Sequence, residues 1–201
     1  MLELLNSCAM AFDIPVLDWI HAHLVTSDLA YNFWHFITLF GEAGIFWILL
    51  AVGLAIYPKT RKVGLTMGLA LAMGLLICNI TIKPLVARPR PVDFLASMGV
   101  TLPFKVIPMD DFSFPSGHTI ASFEASVALL LYSRKWGIPA LILGIMVSFS
   151  RLCLYVHYPT DVLVSVVLGT VFAVIAYFAL RNVKIPEHRQ HGKYERNKKA
   201  A

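Results

Sequence analysis

Three short clusters hold the residues whose types and spacing could do chemistry together. The first runs Lys83-Pro-Leu-Val-Ala-Arg88-Pro-Arg90-Pro91, the second is Pro115-Ser116-Gly117-His118, and the third is Ser150-Arg151, five residues, His157, three residues, Asp161. Lys83, Arg90 and Arg151 are three cations, and the planar fork of an arginine matches the oxygens of a phosphate. Ser116 has the character of a helix N-cap, which would leave the backbone N–H groups of Gly117 and His118 free to meet an anion at a helix N-terminus. Gly117 has no Cβ to keep a ligand from the backbone. Pro159 suits the first position of a further helix, which places His157 just before it and Asp161 in its first turn. Phosphoryl transfer needs in-line attack and help for the leaving oxygen. Of two histidines, one neutral imidazole can attack phosphorus and the other can protonate the leaving group. A carboxylate beside the attacking ring would fix its tautomer, and Asp161 is the one carboxylate next to either histidine in sequence.

Something must bring these clusters together, and composition says what. The chain has 201 residues, 58% hydrophobic and 14% charged, with a mean hydropathy of +0.70. Roughly 25% charged is ordinary for a soluble domain, so the chain is expected to lie in a membrane as one domain. Apolar runs at 43–57, 63–82, 119–132, 137–149 and 162–180 read as five transmembrane helices. A crossing takes about 20 residues, so three of the five need their flanks. The first 42 residues read as N-terminal interfacial helices anchored by Trp19 and Trp34. The alternative makes 29–40 a sixth transmembrane helix. We expect interfacial helices over 1–42, a transmembrane core over 43–182 and a basic cytoplasmic tail over 183–201, where contact with anionic lipid is a plausible extra role.

Charge chooses a topology. Lys59, Arg61 and Lys62, then Arg134 and Lys135, then the basic residues from Arg181 onward follow alternate spans and should share the cytoplasmic face. The N-terminal stretch carries Glu3, Asp13, Asp18, Asp28 and Glu42 and no Lys or Arg before Lys59, which fits an outside N-terminus and five spans. Loops 84–115 and 156–160 then lie outside. Their cations, Lys105 among them, break the charge rule unless an anion is held there. Residues 1–30 lack the basic region of a cleavable signal. Cys8, Cys78 and Cys153 form no disulfide framework. Gly64, Gly68 and Ala72, four apart, suit close helix packing. No nucleic-acid module is present.

The three clusters together resemble the signatures of the type 2 phosphatidic acid phosphatase superfamily: Lys-x6-Arg-Pro, Pro-Ser-Gly-His and Ser-Arg-x5-His-x3-Asp. The resemblance covers roughly residues 40–180, and it is strongest to compact bacterial members acting on polyprenyl pyrophosphate or phosphatidylglycerophosphate. It implies His157 as the nucleophile that forms a phosphohistidine, His118 as the general acid and Asp161 as the group orienting His157. It implies Lys83, Arg90, Ser116, Gly117 and Arg151 as the phosphate cradle, and neither metal nor other cofactor. Undecaprenyl pyrophosphate on the outer face of a bacterial plasma membrane is the leading substrate. Phosphatidylglycerophosphate, phosphatidate, transfer to an acceptor lipid, and a non-catalytic transporter are the alternatives. Soluble vanadium haloperoxidases share the signatures but not the spans. Two departures stand out: the N-terminus lacks the first hydrophobic span of many relatives, and Ser165 stands where relatives often have Gly.

Several residues fall outside these roles. Arg88 could touch phosphate or hold the Pro-rich loop. Glu124, an acid within a span, is a functional candidate or a core residue meeting Asn79 or a serine of the fourth span. Glu42 reads as a helix cap or part of the site's entrance. Asp110 and Asp111 read as solvated loop charges, and His21, His23 and His35 as packing residues.

Overall fold

A computed structural model describes residues 2–183. The tail expected from 183 therefore lies outside the described residues beyond its first position. The described residues are helical, with no strand. At the N-terminus come α1 (Leu2–Cys8), a π-helical turn over Ala9–Asp13, α2 (Ile14–Leu24) and α3 (Asp28–Thr38). The bundle proper consists of α4 (Ile45–Ile56), α5 (Arg61–Met73), α8 (Gly117–Tyr132), α9 (Arg134–Cys153) and α10 (Pro159–Leu180). Two short helices, α6 (Lys83–Val86) and α7 (Pro91–Ser97), lie in the loop after α5.

The core lies around α8, which packs against α9, α10 and α5. Its sequence explains the position. Small residues Ser122, Ala125, Ser126 and Ala128 are buried, so neighbouring helices approach closely, as membrane bundles require when lipid gives no hydrophobic drive between helices. Ser122 and Ser126 do not leave the hydroxyls idle: Ser122 accepts a 3.0 Å bond from the Trp47 indole, and Ser126 donates to the Ser122 carbonyl. The outer surface is the reverse of a soluble one. Leu163, Val167, Val171, Ile175 and Phe178 form an exposed stripe along α10, and apolar surface of that extent needs lipid or a partner to cover it.

Four helical stretches among the described residues are long and apolar enough to cross a membrane: Asp28–Ile56, Arg61–Ser97, Arg134–Cys153 and Pro159–Leu180. The first is broken. Within its 3-10 turn, Leu39–Gly44, Glu42 has ψ 118° and Ala43 and Gly44 have φ 46° and 66°, so α3 and α4 are separate rods. The helix α8, at 16 residues, is shorter than the roughly 20 that a crossing takes. The expected run at 137–149 extends to Arg134–Cys153 because Arg134, Lys135 and Arg151 continue the helix. Apolarity marks where a helix leaves lipid, whereas the backbone pattern carries on through charged residues.

Helix α5 widens into a π-helix over Gly74–Ile82 that delivers Lys83. At the opposite end of the bundle, Lys62 Nζ donates to the Arg181 carbonyl at 3.0 Å, and Thr66 and Tyr132 meet at 3.0 Å. The basic residues and the three chemical clusters therefore occupy opposite ends of the molecule. The N-terminal segment sits with the clusters: Asp13 meets Thr160, Asp18 accepts from Tyr155 at 2.7 Å, and Leu17 and Ile20 share a core with Leu152, Tyr155 and Tyr158.

Candidate active site

Four helix ends converge on the site. The end of the π-helix brings Lys83, the start of α8 brings Gly117 and His118, the last turn of α9 brings Arg151, and the turn before α10 brings His157. With Arg90 these side chains line one cavity of about 860 Å³. The cavity continues between α4 and α5 past Ile48, Val52, Leu65, Gly68 and Ala72, so a charged mouth opens into an apolar groove.

His157 is buried. Its Nδ1 lies 3.6 Å from Asp161 Oδ2, and Arg90 Nη1 stands 3.5 Å from its Nε2. Burial, and then the positive charges of Arg90, Arg151 and Lys83, hold the imidazole well below the usual histidine range, against a smaller opposing effect of Asp111. The ring is therefore neutral at physiological pH, the form in which a nitrogen lone pair can attack. Asp161 is fixed by three donors: Arg88, the Ser113 hydroxyl and, at 3.1 Å, the Tyr158 N–H.

Arg151 gives Nη1 to Thr38 Oγ1 at 2.5 Å, while its Nε and Nη2 meet no acceptor among the described residues. These are the donors left for an anion. Arg90 is anchored at 2.6 Å to the Val156 carbonyl and at 2.9 Å to the Asp111 carbonyl. The Asp111 carboxylate bridges Arg90 and Lys83, 2.5 Å from Lys83 Nζ. Burial alone would raise the pKa of Asp111, but the hydrogen bonds and charges of Lys83 and Arg90 outweigh it and bring it down to about 2. The expectation that Asp111 is merely a solvated loop charge is therefore corrected, because two cations of the site hold it.

The second cluster is placed unevenly. Gly117 and His118 face the cavity. Ser116 is fully buried at the N-cap but makes no side-chain cap bond. Its N–H donates to Ser165 Oγ at 2.9 Å and its hydroxyl accepts from Thr119 at 3.1 Å. The Ser165 departure thus supports the turn before His118. His118 Nε2 stands 3.3 Å from Glu42 Oε2.

The structure chooses between the readings left open for two residues. Arg88 is fully buried behind Asp161 and away from the cavity. Its Nη2 donates to Asp13 at 2.8 Å and to the Leu5 carbonyl at 2.9 Å, and its guanidinium stacks 3.7 Å from the Tyr158 ring centroid. Glu124 lines the same cavity as His118 and meets neither Asn79 nor a serine. Its carboxyl lies against Gly74, where a Cβ would come within 2.2 Å of Oε1, and Asn79 lies beside Gly117. Asp13, Thr38, Ser113 and Asp111 were missed as site residues. Each acts on a partner far along the chain, which no local pattern announces. Among the described residues, no group of three or more His, Cys, Asp or Glu is placed to hold a metal ion.

Residues 63–184 match the PAP2 superfamily. The chain is 37% identical over 143 residues to the undecaprenyl-diphosphatase BcrC of Bacillus subtilis, covering 71% of this chain and 70% of that one. It is 32% identical over 136 residues to an undecaprenyl-diphosphatase of Sulfolobus acidocaldarius, covering 67% of this chain and 63% of that protein's length. The crystal structure of Aquifex aeolicus LpxE shares the fold, with a TM-score of 0.69 over 83% of this chain and 94% of that one at 20% identity.

Proposed function

The chain belongs to the PAP2 superfamily, and on that premise we propose that it is a membrane enzyme hydrolysing a lipid pyrophosphate, with a polyprenyl diphosphate of the undecaprenyl class as substrate. One observation carries the reading: His157, backed by Asp161, faces the same cavity as Lys83, Arg90, Arg151 and His118, and that cavity runs on into an apolar groove. The relatives named above for undecaprenyl diphosphate support the choice of lipid.

In this mechanism Lys83, Arg90 and Arg151 hold the oxygens of the terminal phosphate and offset its charge. His157 Nε2 attacks phosphorus, the bond to the bridging oxygen breaks, and the leaving lipid phosphate takes a proton from His118. Asp161 stabilises the positive ring that results. A water then attacks the phosphohistidine. His118 takes back a proton from that water, inorganic phosphate leaves, and His157 is restored as the neutral imidazole. The site faces outward, opposite the basic end.

The test is phosphate release by the purified protein from undecaprenyl diphosphate, phosphatidylglycerophosphate, phosphatidate and a soluble sugar phosphate, each with and without a strong chelator. The polyprenyl diphosphate should be fastest, the chelator should have no effect, and His157→Ala should lower the rate by about 10³-fold or more. Near-normal activity in His157→Ala, or a preference for the sugar phosphate, refutes the proposal.

A further inference from the structure

The break between α3 and α4 places an unassigned carboxylate on the second histidine. Three adjacent features of this segment act together. At Gly41, a Cβ would come within 2.6 Å of His118 Cδ2 and 2.7 Å of Val147 Cγ1, so only glycine lets the segment close on the ring. Ala43 and Gly44 both adopt left-handed backbone, φ 46° and 66°. That conformation is readily available to glycine but disfavoured for alanine. Between Gly41 and Ala43, Glu42 leaves the helical path and reaches 3.3 Å from His118 Nε2, with its side chain 61% exposed.

Charge explains what such a carboxylate does. A general acid must carry its proton when the substrate arrives. His118 shares the cavity with Lys83, Arg90, Arg151 and the ring of His157, and burial first, then the electrostatic effects of Arg151, His157, Lys83 and Arg90, oppose its protonated form. Of the other carboxyl groups lining the cavity, Asp111 is bonded to Lys83 and Arg90, and Glu124 lies against Gly74. Glu42 is the acid within ion-pair reach of His118. We propose that Glu42 is a positioning residue that orients His118 and supplies the negative charge needed for its protonated form. The inference rests on the reading of His118 as the acid that protonates the leaving oxygen.

The experiment compares phosphoenzyme formation, read as kcat/KM, on two soluble substrates: an alkyl phosphate, whose leaving oxygen needs a proton, and a dinitrophenyl phosphate, whose leaving oxygen does not. Glu42→Gln should lower kcat/KM for the alkyl ester about 10- to 100-fold, within the range general acid catalysis supplies, and for the aryl ester by about threefold or less. In a His118→Asn background, Glu42→Gln should add no further loss on the alkyl ester, because the two residues act as one unit. Equal losses on both esters, or an additive loss in the His118→Asn background, overturn the role of Glu42 while leaving the phosphatase reading intact. A wild-type protein silent on both esters and on the lipid substrates overturns both.

Discussion

Asp161 is held by Arg88, and Arg88 is held in turn by Asp13, so the carboxylate behind His157 depends on a residue 148 positions before it in sequence. A fully buried guanidinium between two fully buried carboxylates is tolerable only while both partners stay. Asp13 also caps the start of α10, accepting from the Thr160 N–H at 3.0 Å and from its hydroxyl at 2.8 Å. Asp13→Ala should therefore act twice. Removing one member of a buried ion pair costs on the order of 3–5 kcal/mol, read as a lowered thermal midpoint in detergent. Loosening Asp161 should also lower kcat about tenfold, the effect of roughly 1.4 kcal/mol on a barrier, with KM changed by less than about threefold. Full activity and unchanged stability would show that Asp13 bears no load. The histidines and cations placed at the cavity mouth were legible in the sequence because each stands at or beside a helix end, where Pro, Gly and Ser mark the boundary. Asp13 and Thr38 were not, since they meet partners 147 and 113 positions away. Of the two roles open to Arg88, the structure shows the second: it ties the Pro-rich loop to Asp13 and Asp161, while Arg90, two positions on, faces the cavity.

The small residues of α5 divide their work along the helix. At Gly64 a Cβ would fall within 2.2 Å of the Ala55 backbone, whereas at Gly68 it would meet nothing within 4 Å. The groove between α4 and α5 is thus pinched at the basic end and open above it. Sequence spacing assigned Gly64, Gly68 and Ala72 alike to packing, and it holds for Gly64. Spacing alone does not separate the two glycines: Gly64 lies three residues into α5, beside the turn that joins it to α4, and Gly68 lies one helical turn further on. Gly68→Phe should fill the groove. Hydrolysis of a long polyprenyl diphosphate should fall at least about tenfold, as overfilling an apolar site costs roughly 1–3 kcal/mol. A short soluble diphosphate should lose less than about threefold. Equal losses on the long and short substrates would mean that the groove serves folding alone.

Over the whole molecule, every residue of the N-terminal segment with a named partner in the bundle meets it at the catalytic end. Asp13 meets Thr160, Asp18 meets Tyr155, Trp34 packs on Phe149, Thr38 meets Arg151 and Glu42 meets His118. Trp34 and Thr38 of α3 thus lie with the clusters, and the basic loops lie at the other end of the bundle. We predict that Cys8 is outside the cell. In a variant carrying Cys78→Ala and Cys153→Ala, a membrane-impermeant thiol reagent should label it in intact cells. Labelling only after the membrane is opened would reverse the topology. The same arrangement bears on the order of events during biosynthesis. The ribosome makes Asp13 early and Thr160 late, yet these residues, 147 positions apart, close on each other. The histidine and its supporting carboxylate, at positions 157 and 161, lie on the last part of the bundle to be made. On the proposed function, a nascent chain that ends with α9 holds Lys83 and Arg90 but neither His157 nor Asp161, so cleavage would begin only when α10 docks against the waiting N-terminal segment.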